Sequence, residues 1–319
     1  MRIILCLVLL SISVINHTIH AQLRIQDSTY HKVEARNKEL QKRINWMTAA
    51  NIVGYGTAMT GLYNAWYKQY PQSTFHTFND WGEWKQMDKV GHLYSAYIEG
   101  RGSMELWKWA GLEKRKRVWI GGLSGAAYQT VIETLDGFSK QWGWSWGDFA
   151  ANVAGSGLLI AQEFGWNEQR ISLKLSYHNS HYNDPQLAKR SAQLFGHHTS
   201  SRFLKDYNGQ TYWASISLAP FLKNSNWPNW LNVGIGYGAS GLMGGFENVA
   251  TDPTGIIQFD RRDFPRYRQW YIAPDINWEK IKTNKKGVRL LFTVLNAFKM
   301  PAPTFEYSQG KFKFHPLYF

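Results

Sequence analysis

The pattern of apolar and polar positions changes its period once along the chain. From Tyr30 to Phe164 apolar residues recur at helical spacing, and beyond Gly165 they alternate two by two. Four helical stretches are predicted. One runs from Tyr30 to Tyr67. A second starts at Asn79 or Asp80, either of which can cap with Glu83 completing a capping box, and passes His92 towards Trp109. A third follows the basic run Lys114, Arg115, Lys116, Arg117, and a fourth opens at Ser145 and ends at Phe164. After them, Ile171, Leu173, Leu175 and Tyr177 alternate with Ser172, Lys174 and Ser176, as a half-exposed strand requires. The same alternation predicts strands over Tyr212 to Leu218, Leu231 to Tyr237, Trp270 to Trp278, Val288 to Val294 and Lys311 to Phe319, with a short helix inside Leu187 to Leu204. The fold class expected is α+β: a helical bundle over 22–165 and an antiparallel β region over 166–319. The competing architecture is a small outer-membrane β-barrel, but such barrels have at least about 8 strands and the pattern supplies six.

The first helical stretch is the only one long enough to span a bilayer. It is charged up to Arg43, uncharged from Ile44 to Tyr67, and carries Trp46, Trp66 and Tyr67 near its ends. Asn45, Thr48, Asn51, Thr57, Thr60 and Asn64 make it semi-polar, and Ala50, Gly54 and Ala58 form a small-residue stripe that permits close helix approach. A packed, partly interfacial helix is expected in preference to a span. Gly121, Gly125, Ala126 and Ala127, and then Ala151 and Gly155, give the third and fourth helices similar small faces.

Residues 1–21 read as a secretory signal, with Arg2, an apolar run from Ile3 to Ile15 and Ala21 before Gln22. Cys6, the single cysteine, lies in that run without the small-residue context of a lipid-acceptor cysteine, so no lipid anchor is expected. Cleavage after Ala21 leaves no thiol, which excludes disulfides, cysteine nucleophiles and cysteine metal sites. The chain is then expected to be exported to the periplasm or associated with the outer membrane. Composition sharpens this picture. The 319 residues include 16 Trp, 17 Tyr and 17 Phe, an aromatic excess suited to interfaces. The net charge of +13 is concentrated late: residues 22–165 carry +3 and residues 166–319 carry +9. For an exported chain this points to anionic lipid, glycan or an envelope protein as partner, with membrane association, and away from nucleic acid.

Three segments carry the candidate chemistry. Asp88, Lys89 and His92 lie in DKVGH, Glu133 and Asp136 in ETLDG, and Ser145, Asp148, Asn152 and Gly155 in SWGDFAANVAG. Each sets polar groups three or four residues apart on one helix face, and unpaired charges there would cost several kcal/mol. Asp88, Lys89, His92, Glu133, Asp136, Asp148 and Asn152 are therefore expected to converge on one polar site. Two readings stay open: Asp88, His92, Glu133, Asp136 and Asp148 bind a divalent metal or share protons, or the same groups form a buried network that fixes helix register, with Lys89 neutralising a carboxylate and Asp148 acting as capping partner of Ser145.

With these motifs in view, the span from Trp81 to Phe164 resembles the YfiM-like predicted periplasmic lipoproteins, a family of unknown function related in pattern to the VanZ-like membrane proteins. The resemblance rests on DK-x-x-H, E-x-x-DG and S-x-x-D-x-x-x-N-x-x-G. The segments KDYNGQTYW, GIGYG, RYRQWY and KMPAPTFE look like the longer members. What the resemblance implies is location and architecture, since no fixed reaction attaches to the family. This chain departs from its lipoprotein members in lacking the acceptor cysteine.

Several other patterns carry less. Gly236, Gly238 and Gly241 satisfy G-x-G-x-x-G, but Pro253 and Gly255 follow where a dinucleotide fold needs a helix, so glycines on one face of a curved strand are expected. Ser124 in GLSGA lies in a helical run rather than a nucleophile elbow. His178, His181, His197 and His198 have no companion carboxylate motif. Lys114, Arg115, Lys116 and Arg117 at a helix start, and Arg261, Arg262, Arg266 and Arg268 among aromatics, are candidate surface-binding residues. The terminal Phe319 has the aromatic character of an outer-membrane strand end, although simple alternation puts Phe312, Phe314 and Tyr318 on one face and Leu317 and Phe319 on the other. The function expected is a non-catalytic envelope factor binding lipid or an envelope partner. The alternative is a metal- or acid/base-dependent hydrolase acting on envelope lipid or glycan.

Overall fold

The computed structural model describes residues 30–68, 70–222 and 226–319; the signal segment and Cys6 lie outside them. The described residues form seven α-helices and eight strands: α1 (Tyr30–Leu62), α2 (Met87–Trp109), α3 (Lys114–Gly137), α4 (Trp146–Gly165), β1 (Ile171–Tyr177), α5 (Pro185–Phe195), α6 (Thr199–Lys205), β2 (Gln210–Ser217), β3 (Leu231–Ser240), β4 (Val249–Thr251), β5 (Ile257–Asp260), β6 (Tyr267–Ile276), α7 (Lys286–Leu295), β7 (Ala302–Ser308) and β8 (Lys311–Tyr318). This is an α+β fold. The main sheet is antiparallel throughout in the order β1-β2-β3-β6-β7-β8, with β1 and β8 at its edges, so it is open and not a closed barrel; β4 and β5 pair separately. No helix among the described residues is long and apolar enough to cross a membrane.

The chain divides into two compact units, one of residues 1–78 and 99–145, the other of residues 79–98 and 146–319. In the first, Ile44 and Met47 of α1 pack with Trp107 of α2 and with Ala110 just after it, and Gly121 lets α3 approach α2 so closely that a Cβ there would lie 2.5 Å from Met104 Cα. In the second, Met87, Val90 and Tyr94 of α2 cover Leu175 of β1 and Tyr212 of β2. There Gly155 brings α4 onto α2, with an added Cβ only 2.2 Å from the Leu93 carbonyl oxygen. The stripe Ala50, Gly54 and Ala58 does not do the same: all three are exposed, and the buried face of α1 is set by Ile44 and Met47.

Several expectations need correction. Residues 288–294 are helical, within α7; Val288, Phe292 and Leu295 turn inward at positions i, i+4 and i+7, and that spacing competes with alternation in a short apolar run. The sixth strand is β7 instead, where Thr304, Glu306 and Ser308 are buried and Phe305 and Tyr307 are exposed. The second helix starts at Met87 and not at Asn79 or Asp80, because a single 3-10 turn over Glu83–Gln86 intervenes, with Trp84, Lys85 and Gln86 at positive φ (48°, 54° and 63°). Leu187 to Leu204 holds two helices, α5 and α6. The face assignment of β8 is reset by a register shift opposite Ala302 and Thr304, so that Tyr318 turns inward while Leu317 and Phe319 join Phe312 and Phe314 outside. The glycines of β3 behave as expected: a Cβ on Gly236 would meet the Trp213 ring at 2.8 Å.

Candidate functional site

The second unit brings five of the predicted polar residues together, Asp88, Lys89, His92, Asp148 and Asn152. The left-handed turn over 84–86 is pinned by the sheet: the Trp84 N–H donates to Gly245 O at 2.8 Å, the Tyr237 hydroxyl donates to Lys85 O, and Arg268 donates to the Gln86 side chain. Such a run of non-glycine residues at positive φ persists only where its surroundings hold it. It launches α2 so that Asp88, Lys89 and His92 face α4. On α4, Asp148 and Asn152 stand one turn apart and are buried.

Lys89 is the centre of the cluster. Its ammonium lies 2.6 Å from Asp80 Oδ2, 3.0 Å from Asp148 Oδ1 and 3.4 Å from Asp88 Oδ2. Asp88 also accepts a 2.8 Å bond from the Tyr207 hydroxyl, and its Oδ1 is 3.8 Å from His92 Nε2. His92 Nδ1 lies 3.1 Å from Asn152 Oδ1, so the ring is held between Asn152 on one side and Asp88 on the other. Burial works against the Lys89 charge, but Asp88 and Asp148 outweigh it and hold the ammonium above its ordinary range. Burial and then the neighbouring Asp88 push Asp148 up, so the cluster favours a proton on Asp148 over three bare carboxylates around one ammonium. Glu83, on the preceding turn, is pushed up to about 7 by burial and by Asp88 and Asp80. Asp88, His92 and Asp148 could each offer one ligand atom to a metal ion, all within 4.8 Å of one another.

Glu133 and Asp136 belong to the first unit, where each has a partner of its own. Glu133 is fully buried and accepts the Ser145 N–H at 3.1 Å; Asp136 accepts the Tyr67 hydroxyl at 2.8 Å. Three residues escaped the sequence reading. Asp80 was assigned to a cap and proves to be the shortest partner of Lys89. Tyr207 lies 119 residues from Asp88, a separation with no local signal. Glu99, whose carboxyl burial pushes up to about 8, accepts from Gln129 Nε2 at 2.7 Å; its position in α2, ten residues past Lys89, was the available clue.

The surface candidates divide by what already holds them. Arg261 binds Asp184 and Asp263, and Arg262 binds Asp260, so both guanidinium groups are engaged by local carboxylates. Arg266 donates to Gly245 O, while its Nε and Nη1 are buried with no hydrogen-bond partner. Arg268 is exposed and donates to the Tyr237 hydroxyl at 3.2 Å. Lys114 to Arg117 form the first turn of α3 itself, and Arg115 is exposed.

Compared with known proteins, residues 77–162 match a family model described as a predicted periplasmic lipoprotein family, DUF2279. The match covers the turn, α2, α3 and most of α4, and so all three motif segments. No curated protein and no solved structure matches the chain.

Proposed function

We infer that this chain is exported to the cell envelope, because its helical segment is similar to a predicted periplasmic family of unknown function and its aromatic excess and leading segment point the same way. We propose that within the envelope it is a non-catalytic factor that binds lipid or an envelope partner, and that Asp80, Asp88, Lys89 and Asp148 clamp α2 and α4 together. The finer kinship to the YfiM-like members, and distantly to VanZ-like proteins, is part of this proposal. The observation that carries it is the position of the Lys89 ammonium, within 3.4 Å of three carboxylates. It provides the charge compensation that a divalent cation would otherwise supply. Removing one partner from such a buried set costs about 3–5 kcal/mol, because the remaining charges lose their compensation.

The alternative, a hydrolase centred on Asp88, His92 and Asp148, is favoured by one feature: these three residues bring potential metal-ligand atoms within 4.8 Å of one another. The two readings separate on purified full-length protein. The clamp predicts that Lys89→Met lowers the melting temperature sharply, that Lys89→Arg restores part of the loss, and that a chelator leaves the melt unchanged. Stoichiometric divalent metal that disappears in His92→Ala, with a chelator-sensitive melt, would overturn it.

A further inference from the structure

Over β3, β6, β7 and β8 the outer face of the main sheet is apolar, while its inner face carries buried charged groups beside the cluster of Trp213, Tyr271 and Tyr318. Its inner face carries the Lys174 ammonium 2.7 Å from Asp275 Oδ2, both side chains wholly buried, and Glu306 2.7 Å from His315 Nε2. On the outer face, cross-strand partners build two continuous rows. Ile235 of β3 pairs with Ile272 of β6, Ile272 with Phe305 of β7, and Phe305 with Phe314 of β8. One pleat away, Tyr237 pairs with Trp270, Trp270 with Tyr307, and Tyr307 with Phe312. Trp270 is 50% exposed, Phe305 57% and Phe312 80%. Among the described residues, helix α2 covers the corresponding face at β1, β2 and the Tyr237–Ala239 end of β3, through the cluster of Met87, Leu175, Tyr212 and Ala239.

Two further features identify the occupant. The second row is aromatic and lies next to a basic group, as in the aromatic girdles that mark the headgroup level of membrane-embedded sheets. That group is Lys85, Arg266 and Arg268. Arg268 is exposed and contacts the hydroxyl of Tyr237 in the aromatic row, and Lys85 contributes its carbonyl to the same hydroxyl. The Lys85 ammonium is held below its ordinary range by burial and then by Arg266 and Arg268, which shows how closely the three positive charges are gathered. Clustered cations beside an aromatic row, with an aliphatic row beyond, complement a phosphate headgroup followed by acyl chains. The register of the sheet also argues for a one-sided contact. β8 is an open edge whose Pro316 removes one donor, and an edge strand sunk through the hydrocarbon would leave its backbone groups unpaired.

We propose that the outer face of β3, β6, β7 and β8 lies in one leaflet of an anionic bilayer, with Ile272 and Phe305 among the acyl chains, Trp270 and Tyr307 at the headgroups, and Lys85 and Arg268 on lipid phosphate. This surface deepens the envelope-factor reading by naming its partner, and it does not depend on the Lys89 cluster.

The test is flotation of the full chain with vesicles of phosphatidylethanolamine and phosphatidylglycerol, against vesicles of phosphatidylcholine alone. The wild type is expected to float with the anionic vesicles. Ile272→Glu with Phe305→Glu, both at exposed positions, should raise the lipid needed for half flotation by about tenfold or more, given the penalty for charge on a lipid-facing strand. Its thermal melt should be unchanged. Arg268→Glu should abolish the preference for anionic lipid. Wild type remaining unbound in both vesicle types, or a double variant that floats like wild type, would overturn the proposal. So would a wild-type dimer that neither floats nor survives the double substitution, since the face would then be covered by a second copy. Recovery of the tagged protein in the cytoplasm of cells would instead defeat the envelope reading, leaving the vesicle result standing.

Discussion

At the scale of single residues, Glu83 shows how burial writes a pH dependence into the site. Its carboxyl is pushed from an ordinary 4.5 to about 7, chiefly by burial and then by Asp88 and Asp80. A carboxyl whose folded value is raised contributes stability that is complete below the unfolded value and is lost as pH rises through the folded one. The window is therefore pH 4.5 to 7. Denaturant unfolding should show wild type losing stability relative to Glu83→Gln across that window, by about 1–2 kcal/mol once solvent contact is discounted. Gly155→Ala gives a second residue-scale expectation. With the Leu93 carbonyl oxygen 2.2 Å from the new methyl, α4 must move away from α2, at a cost of about 1–3 kcal/mol in an unfolding titration. Alanine at Gly54, where nothing lies within 4 Å, should be neutral or slightly stabilising in the same titration. Identical residues in similar sequence stripes thus differ by what faces them, and that is why Gly54 misled the sequence reading while Gly155 did not.

At the scale of elements, the long periodic helices and the first three strands of the sheet were legible because their patterns extend over seven or more residues, and the DKVGH and SWGDFAANVAG segments were legible because i, i+4 spacing is a local property. Residues 288–294 were not. Alternation puts Val288, Leu290, Phe292 and Val294 on one face, whereas α7 buries Phe292 against Trp278 and leaves Leu290 and Val294 exposed. The two periods make opposite forecasts for a pair of truncations. Phe292→Ala should destabilise by about 2 kcal/mol and Leu290→Ala by less than about 0.5 kcal/mol, as thermal or chemical unfolding would report. Near-equal losses would restore the strand. β7 was missed because its buried positions, Thr304, Glu306 and Ser308, are polar, and Pro301 and Pro303 stand at its start. A pattern rule that assigns polar residues to the outside places this sheet's faces backwards.

At the scale of the whole chain, the change of period near Gly165 was read correctly as a change from helix to sheet, but the compact units do not follow it. Residues 79–98 associate with the sheet through contacts such as Tyr207 with Asp88 and Tyr237 with Lys85, and no local pattern announces partners at separations of 119 and 152 residues. The candidate site inherits this property: its helical residues were legible, whereas Asp80 and Tyr207, which lie outside the helices and strands, were not. Fractionation of the tagged protein should place it in the envelope, with release by carbonate marking a peripheral protein and resistance marking an embedded one.

The left-handed turn at Trp84 to Gln86 also bears on how the chain matures. Its three strained residues are held by Gly245, Tyr237 and Arg268, the last of them 182 residues downstream of Gln86. When residues 79–98 leave the export channel, none of those partners has yet emerged, so this segment cannot settle until most of the sheet has followed. Long-range pairing of this kind folds slowly and leaves apolar strands such as β6 and β7 open to aggregation meanwhile. A chain cut before Arg268 lacks that anchor for the turn and should be degraded rather than accumulate as a helical fragment.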